Sequence, residues 1–153
     1  MKELEEIIKT STNLTISKKT ILNLILTSTV FKDDMQSVLK PFDLSMEQFN
    51  VLRILRGQEG KSINLQDIQE RMVTKMSNTT RLVDKLIKKN YVKRFICKQN
   101  RRKVEIFITD QGLDLLKELD SIVEDNETKL VSSLSQTELE QLNKLLNKLR
   151  TQS

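Results

Sequence analysis

The sequence predicts a mainly α-helical chain carrying one small β-hairpin, and three observations carry that prediction. Apolar residues recur at the 3.6-residue helical period in long segments on both sides of the middle of the chain. Over residues 91–108 alone, the period drops to two. Cations gather in the same middle region: Arg71 to Lys103 holds twelve basic residues and one acid, Asp84, for a net +11. The other 14 basic and 20 acidic residues leave −6 elsewhere, within a total of +5. A soluble surface ordinarily mixes both signs. Segregation of this degree marks a polyanion site.

Composition narrows the possible chemistry. The chain has 153 residues, enough for one domain with a real core. It has no histidine, so the commonest general base and the commonest metal ligand are both missing. One cysteine, Cys97, excludes an internal disulfide and any multi-cysteine zinc site. Three glycines cannot write a phosphate-cradling loop. The expectation is therefore a protein with no enzymatic activity, no cofactor and no metal. No apolar run approaches the roughly 20 residues that span a bilayer. The N-terminus, MKELEEIIK, lacks the apolar core of a secretory signal, so a cytoplasmic, nucleoid-associated protein is expected.

The elements can be placed in chain order. Residues 2 to 10 suggest a short first helix. Ser17 to Lys40 reads as one long helix ending before Pro41. Its apolar positions, including Ile21, Leu24 and Ile25, cover more than half of its circumference near the start, which predicts burial against the domain and against something else. Ser45-Met46-Glu47-Gln48 has the form of a capping box, and Phe49, Leu52 and Leu55 continue at helical spacing up to Gly57. Asn64 caps a short helix from Leu65 to about Met72, with Ile68 facing inward. After a break at Val73 and Thr74, a further helix is expected from about Lys75 to Lys89, stopped by a left-handed Asn90.

Alternation then takes over. Val92, Arg94 and Ile96 alternate with Lys93 and Phe95; past a polar tip, Val104, Ile106 and Ile108 alternate with Glu105 and Phe107. These are two strands of a hairpin, too short to stand without the preceding helices. Thr109 caps a long helix to about Ser132, and Ser135-Gln136-Thr137-Glu138 opens a last one with a second capping box. There Leu139, Leu142, Leu146 and Leu149 recur at 3-4-3 spacing, a helix–helix seam that is either intramolecular, in a monomer, or between subunits. A two-fold dimer built from the N- and C-terminal helices would bury both unpartnered stripes.

Helix, helix, helix, hairpin is the pattern of a winged helix-turn-helix. In the basic helix Leu82, Val83 and Leu86 are the core anchors, and Ser77, Asn78, Arg81, Lys85 and Lys88 share the opposite side. Arg81 can pair two-pronged with guanine, Asn78 with adenine, and Ser77 and Thr80 with either. Ser77 and Asn78 near a helix start also suit a phosphate, although mere capping explains them as well. Arg101, Arg102 and Lys103 at the hairpin tip repel one another and do nothing for folding. An arginine there suits the negative potential of a narrow minor groove, and Lys103 a phosphate. Asp84 is placed to orient a neighbouring arginine such as Arg94. Phe31, Met35, Phe42 and Phe49 lie where a crevice could form, though apolar residues at this spacing are ordinarily plain core.

From about Leu44 to Leu119 the chain resembles the MarR family of winged-helix transcription regulators. The matching pieces are Leu44-Ser45-Met46-Glu47-Gln48-Phe49-Asn50-Val51-Leu52, Leu65-Gln66-Asp67-Ile68, Asn78-Thr79-Thr80-Arg81-Leu82-Val83-Asp84-Lys85-Leu86, Asn90-Tyr91-Val92-Lys93-Arg94, Asn100-Arg101-Arg102 and Ile108-Thr109-Asp110-Gln111-Gly112. The resemblance implies a homodimer on a palindromic double-stranded DNA operator, with recognition helices in successive major grooves and wings in the minor groove. It also implies a ligand or oxidant that alters DNA affinity, and a repressor is the expected role. Residues 1–40 and 110–153 would then form the dimerisation part and 41–109 the DNA-binding lobe of one integrated domain. Where the family wing begins with an aspartate, this chain has Asn100, whose amide can still bond a guanidinium without charge assistance. Cys97, beside Lys98, reads as a small apolar strand residue or a thiol of lowered pKa. The alternative to a DNA-binding regulator is a winged-helix interaction module that binds an acidic protein partner.

Overall fold

The computed structural model describes residues 4–96 and 104–151. The elements are α1 (Leu4–Ile7), α2 (Ile16–Leu39), a 3-10 turn (Lys40–Phe42), α3 (Met46–Arg56), α4 (Leu65–Arg71), α5 (Thr79–Lys88), β1 (Val92–Ile96), β2 (Val104–Ile108), α6 (Asp110–Val131) and α7 (Gln136–Arg150). The fold is a winged helix-turn-helix flanked by long helices, mainly α with a two-stranded antiparallel hairpin. The first helix ends at Ile7, short of the expected residue 10, and residues 2 and 3 of the expected helix lie outside the described residues. The wing tip, with Cys97, Asn100, Arg101, Arg102 and Lys103, lies outside the described residues.

Every α-helix from α2 onward starts on a Thr, Ser or Asn whose side chain accepts the N–H three residues on. The caps are Thr15, Ser45, Asn64, Asn78, Thr109 and Ser135. Each satisfies one of the donors that a helix start leaves free, at about 1 kcal/mol apiece. Both expected capping boxes form: Ser45 with Gln48 and Ser135 with Glu138. The Ser135 N–H and hydroxyl, donating to Glu138 Oε2 at 2.8 and 2.7 Å, hold that carboxyl below its ordinary range. Asn90 takes the left-handed angle that ends α5, with φ 61°.

One core joins the back half of α2, helices α3 to α5, the hairpin base and the first half of α6. Leu39, Leu52, Leu55, Ile68, Met72, Val83, Leu86, Ile106, Leu116 and Leu119 are all but fully buried in it. The hairpin pairs Val92 with Ile108 and Ile96 with Val104. It leans on the helices through Val92 and Ile106, and Ile63 extends it by one residue: Ile63 N–H donates to Ile106 O at 3.1 Å and Ile106 N–H returns to Ile63 O at 2.9 Å. Sequence periodicity gives no sign of this bridge, because one residue has no period.

The start of α6 is seated directly against the chain that leaves α5. Thr109 N–H donates to Tyr91 O at 3.0 Å and its hydroxyl to Asn90 O at 2.7 Å. Gly112 lies so close to Tyr91 that a Cβ there would stand 2.5 Å from the Tyr91 carbonyl oxygen and 2.8 Å from Ile108 Cγ1.

Helix α5 begins at Thr79, four residues later than the periodicity suggests. Residues 72–78 form the turn instead, and two side chains hold it. Gln69 on α4 donates from Nε2 to the Lys75 carbonyl and accepts at Oε1 from the Thr79 hydroxyl. Asn50 on α3 accepts the Val73 N–H at 3.0 Å. Once Lys75 O is claimed by Gln69 and Arg81 N–H by Asn78, the helix starts where Asn78 caps it.

This packing sets the outcome of two substitutions. Gly112→Ala forces the hairpin base and α6 apart, and an overpacked site of this kind costs about 1–3 kcal/mol; the urea midpoint should fall at unchanged slope. Gln69→Ala strands the buried Thr79 hydroxyl, also at about 1–3 kcal/mol, and amide exchange should accelerate first over Lys75 to Thr80. Protection there equal to that of the unsubstituted chain would remove Gln69 from the role assigned to it.

Candidate nucleic-acid interface

The rotational setting of α5 is fixed by what it buries. Thr79, Val83 and Leu86 are buried and Leu82 half-buried against the core, which turns Thr80, Arg81, Lys85 and Lys88 outward. Arg81 and Lys85 sit one turn apart on that exposed side. Asn78 is exposed but spends its Oδ1 on capping, accepting the Arg81 N–H at 3.0 Å; its Nδ2 donors are left to meet a ligand. Ser77 precedes the cap and is off the helix. It is half-buried, and its hydroxyl finds no hydrogen-bond partner among the described residues. The residues expected to form one interface thus divide into four on the helix or its cap (Asn78, Thr80, Arg81, Lys85), one in the turn (Ser77), and three outside the described residues (Arg101, Arg102, Lys103).

The base of the wing is tied to α5 by charge. Arg94 Nη1 donates to Asp84 Oδ1 at 2.8 Å, the pairing expected for the single acid of the basic stretch. Both groups are about 40% exposed, and such a pair is worth at most about 1 kcal/mol. Its consequence is geometric: it joins β1 to the middle of α5. On the other face of β1 the Lys93 ammonium lies 6.0 Å from the Phe95 ring and 5.8 Å from the Phe107 ring, which meet edge-on at 5.9 Å.

The C-terminal end of α5 is pinned by Lys89. Its ammonium reaches Asp43 Oδ2 at 2.7 Å and also bonds the Asp43 carbonyl, which holds the Asp43 carboxyl below the usual carboxylate range. Lys40, Lys85, Lys88 and Lys89 line a polar hollow of about 480 Å³ beside the start of α3. The cationic side of α5 therefore continues past the helix onto the 3-10 turn.

Away from this face, two apolar surfaces lie open. Helix α2 leaves Ile21 57%, Ile25 59% and Val30 52% exposed, and α7 buries none of its residues. Leu142 and Leu149 are exposed; Leu139 and Leu146 are half-buried. Leu24 of α2 faces Leu142 and Leu146 of α7 across a hollow of about 650 Å³ that also takes in Phe31, Met35 and Leu130. A second hollow of about 260 Å³ adjoins it, sharing Lys32, Met35, Met46 and Glu127 and reaching Phe49, Arg53, Val73 and Thr74. Of the four residues expected near a crevice, Phe31, Met35 and Phe49 line these hollows; Phe42 packs on the core instead.

Sequence reasoning missed Gln69 and Asn50, which shape the turn ahead of the basic helix. Their signal is spatial: each meets a backbone group far along the chain or across a turn. Among the described residues, no cluster of three or more His, Cys, Asp or Glu could hold a metal ion, and no helix is long and apolar enough to cross a membrane.

Comparison with known proteins bears on this geometry. The model of the MarR family matches residues 44–104, which run from just ahead of α3 to the first residue of β2. The uncharacterized HTH-type transcriptional regulator YfiV of Bacillus subtilis (strain 168) is 35% identical over 77 residues, 50% of this chain and 47% of its own length. The transcriptional repressor MprA of Escherichia coli (strain K12) is 27% identical over 117 residues, 76% of this chain and 66% of its own length. The chain thus spans about half to two-thirds of these curated relatives. Among solved structures, the MarR transcription factor from Planctomyces limnophilus is 30% identical at a TM-score of 0.70, covering 89% of this chain and 98% of that one. The S. aureus MepR–DNA complex is 27% identical at a TM-score of 0.76, covering 92% and 100%. With 30% identity sustained across a whole neighbour of the same fold, the chain belongs to the MarR family of transcription regulators.

Proposed function

We propose that this regulator is a cytoplasmic, nucleoid-associated homodimeric repressor that binds a palindromic operator and is released by a small-molecule ligand. The observation that carries the DNA-binding part is the opposition on α5: Thr79, Val83 and Leu86 inward, Arg81, Lys85 and Lys88 outward, on the helix that comes after a stapled turn. Arg81 is the base-reading residue, suited to a guanine edge. Asn78 and Thr80 bond neighbouring edges or phosphates, Lys85 holds phosphate, and Ser77 lies close enough to join them. Arg101, Arg102 and Lys103, in the segment joining the strands, extend the contact to the minor groove. Residues 41–109 form the DNA-binding lobe in this reading.

Residues 1–40 and 110–153 form the dimerisation part. The exposed faces of α2, with Ile21, Leu24 and Ile25, and of α7, with Leu139, Leu142, Leu146 and Leu149, close on their symmetry mates about a two-fold axis. Such an axis places two recognition helices about 34–36 Å apart, one helical turn of DNA. The adjoining hollows between α2, α6, α7 and α3 suit a ligand with an apolar body and a polar end that meets Lys32 or Glu127. The repressor role is supported by the name of the MprA relative and the DNA contact by the MepR complex.

Selection of bound fragments from a random duplex library tests the function and returns the half-site spacing together. Arg81→Ala should weaken operator binding by about 1–3 kcal/mol and relax preference at one base pair per half-site. A uniform loss over all sequences would make Arg81 a phosphate contact. A protein that binds an acidic partner instead would enrich no sequence at physiological salt. Leu142→Glu should sediment as a single chain and lose most operator affinity while keeping its helical signal; a dimer that survives this charge would move the interface elsewhere.

A further inference from the structure

The turn ahead of α5 carries a side chain that folding does not use. Met76 is 95% exposed, more than any other large apolar residue among those described. Four residues earlier in the same turn, Met72 is 1% exposed in the core. Held in water, Met76 gains none of the stabilisation that burial gives. The turn is not loose at this point: Gln69 bonds Lys75 O, Val73 N–H is held by Asn50, and Ser77 N–H donates to Thr74 O at 3.1 Å. The exposure is therefore built into the fold.

Its neighbours say what it faces. Met76 borders one open hollow of about 450 Å³ together with Ser77, Asn78, Arg81 and Lys85. These are hydroxyl, amide and cationic groups; Glu47 and the half-buried Leu82 also border the hollow, and Met76 is its freely exposed apolar group. Val73, also exposed, borders the other hollow beside Phe49 and Arg53, so it does not share this surface. The major groove of DNA presents hydrogen-bonding edges and one apolar group, the C5 methyl of thymine. An unbranched thioether with three rotatable bonds adapts to a methyl group without demanding a fixed approach.

We propose that Met76 is a specificity-determining residue that packs on a thymine methyl in each half-site, beside the base pair that Arg81 reads. This rests on the DNA-binding reading above and adds a base that hydrogen bonding does not select. Asn78, with its oxygen committed to the cap, leaves room for an apolar reader at the same end of the helix. The other occupant such an exposed methionine could meet is an apolar protein surface, which the experiment separates.

The test replaces each thymine of the selected operator, one at a time in both half-sites, by uracil, which pairs identically and lacks the methyl. At one position per half-site, loss of the methyl should weaken binding of the unsubstituted protein about fourfold for each half-site changed, and about fifteenfold with both changed. Met76→Ala should bind the thymine operator weaker by the same factor and be indifferent to uracil at that position; Met76→Leu should restore the discrimination. Because the side chain is exposed, neither variant disturbs folding, and the urea midpoint should not move. If the unsubstituted protein binds every uracil operator equally, or Met76→Ala still distinguishes the two bases, the proposal is wrong while the DNA-binding reading stands. If the unsubstituted protein enriches no sequence at all, both fall.

Discussion

The angle at which α5 sits about its own axis is the constraint on which the rest of this structure depends. Val83 and Leu86 have no exposure, and Thr79 is locked to Gln69 across the turn. A rotation of one residue, about 100°, would drag a lysine into the core and leave a leucine in water. Burying one unpaired ammonium costs far more than any surface contact returns. The core thus decides which side chains face outward, and Arg81 and Lys85 are aimed by buried residues on the opposite side of the helix. Asp84 belongs to the same arrangement. At the edge of the helix it holds Arg94, and so sets β1 against α5.

Much of this is legible in the sequence because it is written locally. A helix start needs a donor-satisfying side chain three residues before its partner, and Ser45, Asn64, Thr109 and Ser135 announce theirs. A strand's side chains alternate with a period of two, and Val92 to Ile96 shows it, although in the structure only Val92 of that strand is buried. Periodicity starts the basic helix too early for a physical reason. Lys75 and Met76 are good helix formers and lie in phase with the apolar positions of α5, so propensity alone extends the helix backward. The competing bonds come from Gln69, which reaches across the turn to Lys75 and Thr79, and from Asn50, which is distant in the chain from Val73. Ile63 is the same case: its bridge to Ile106 joins residues more than forty apart, and nothing in its neighbours marks it. Of the interface, residue types and the outward face are readable, whereas the shape of the turn, and with it the display of Met76, is not.

Charge and apolar surface are kept apart on this molecule, and the separation has consequences. The middle of the chain carries +11 while the remainder carries −6. The cations therefore lie on the lobe with α5 and the wing, and the open apolar faces on the flanking helices. Two copies meeting through α2 and α7 would not bring their basic lobes into the contact. On the basic side itself, Asp43 is paired with Lys89 and Asp84 with Arg94, while Glu47 borders the hollow of Arg81 and Lys85. The two kinds of surface can be occupied together without competing.

The turn of residues 72–78 stands between those surfaces. Val73 and Thr74 border the hollow that reaches Phe49, Arg53 and Lys32, while Thr74, Met76, Ser77 and Asn78 border the hollow on the basic side. Glu47 edges both. Whatever fills the first hollow rests against the backbone that forms the second. Any effect on the basic face is bounded by how differently that occupant binds the two positions of the turn. The staples set the stiffness of the link. Gln69 bonds both Lys75 and Thr79 and so ties the turn to the start of α5, while Asn50 ties it to α3. A looser turn would absorb the displacement within its own residues and leave α5 where the core puts it.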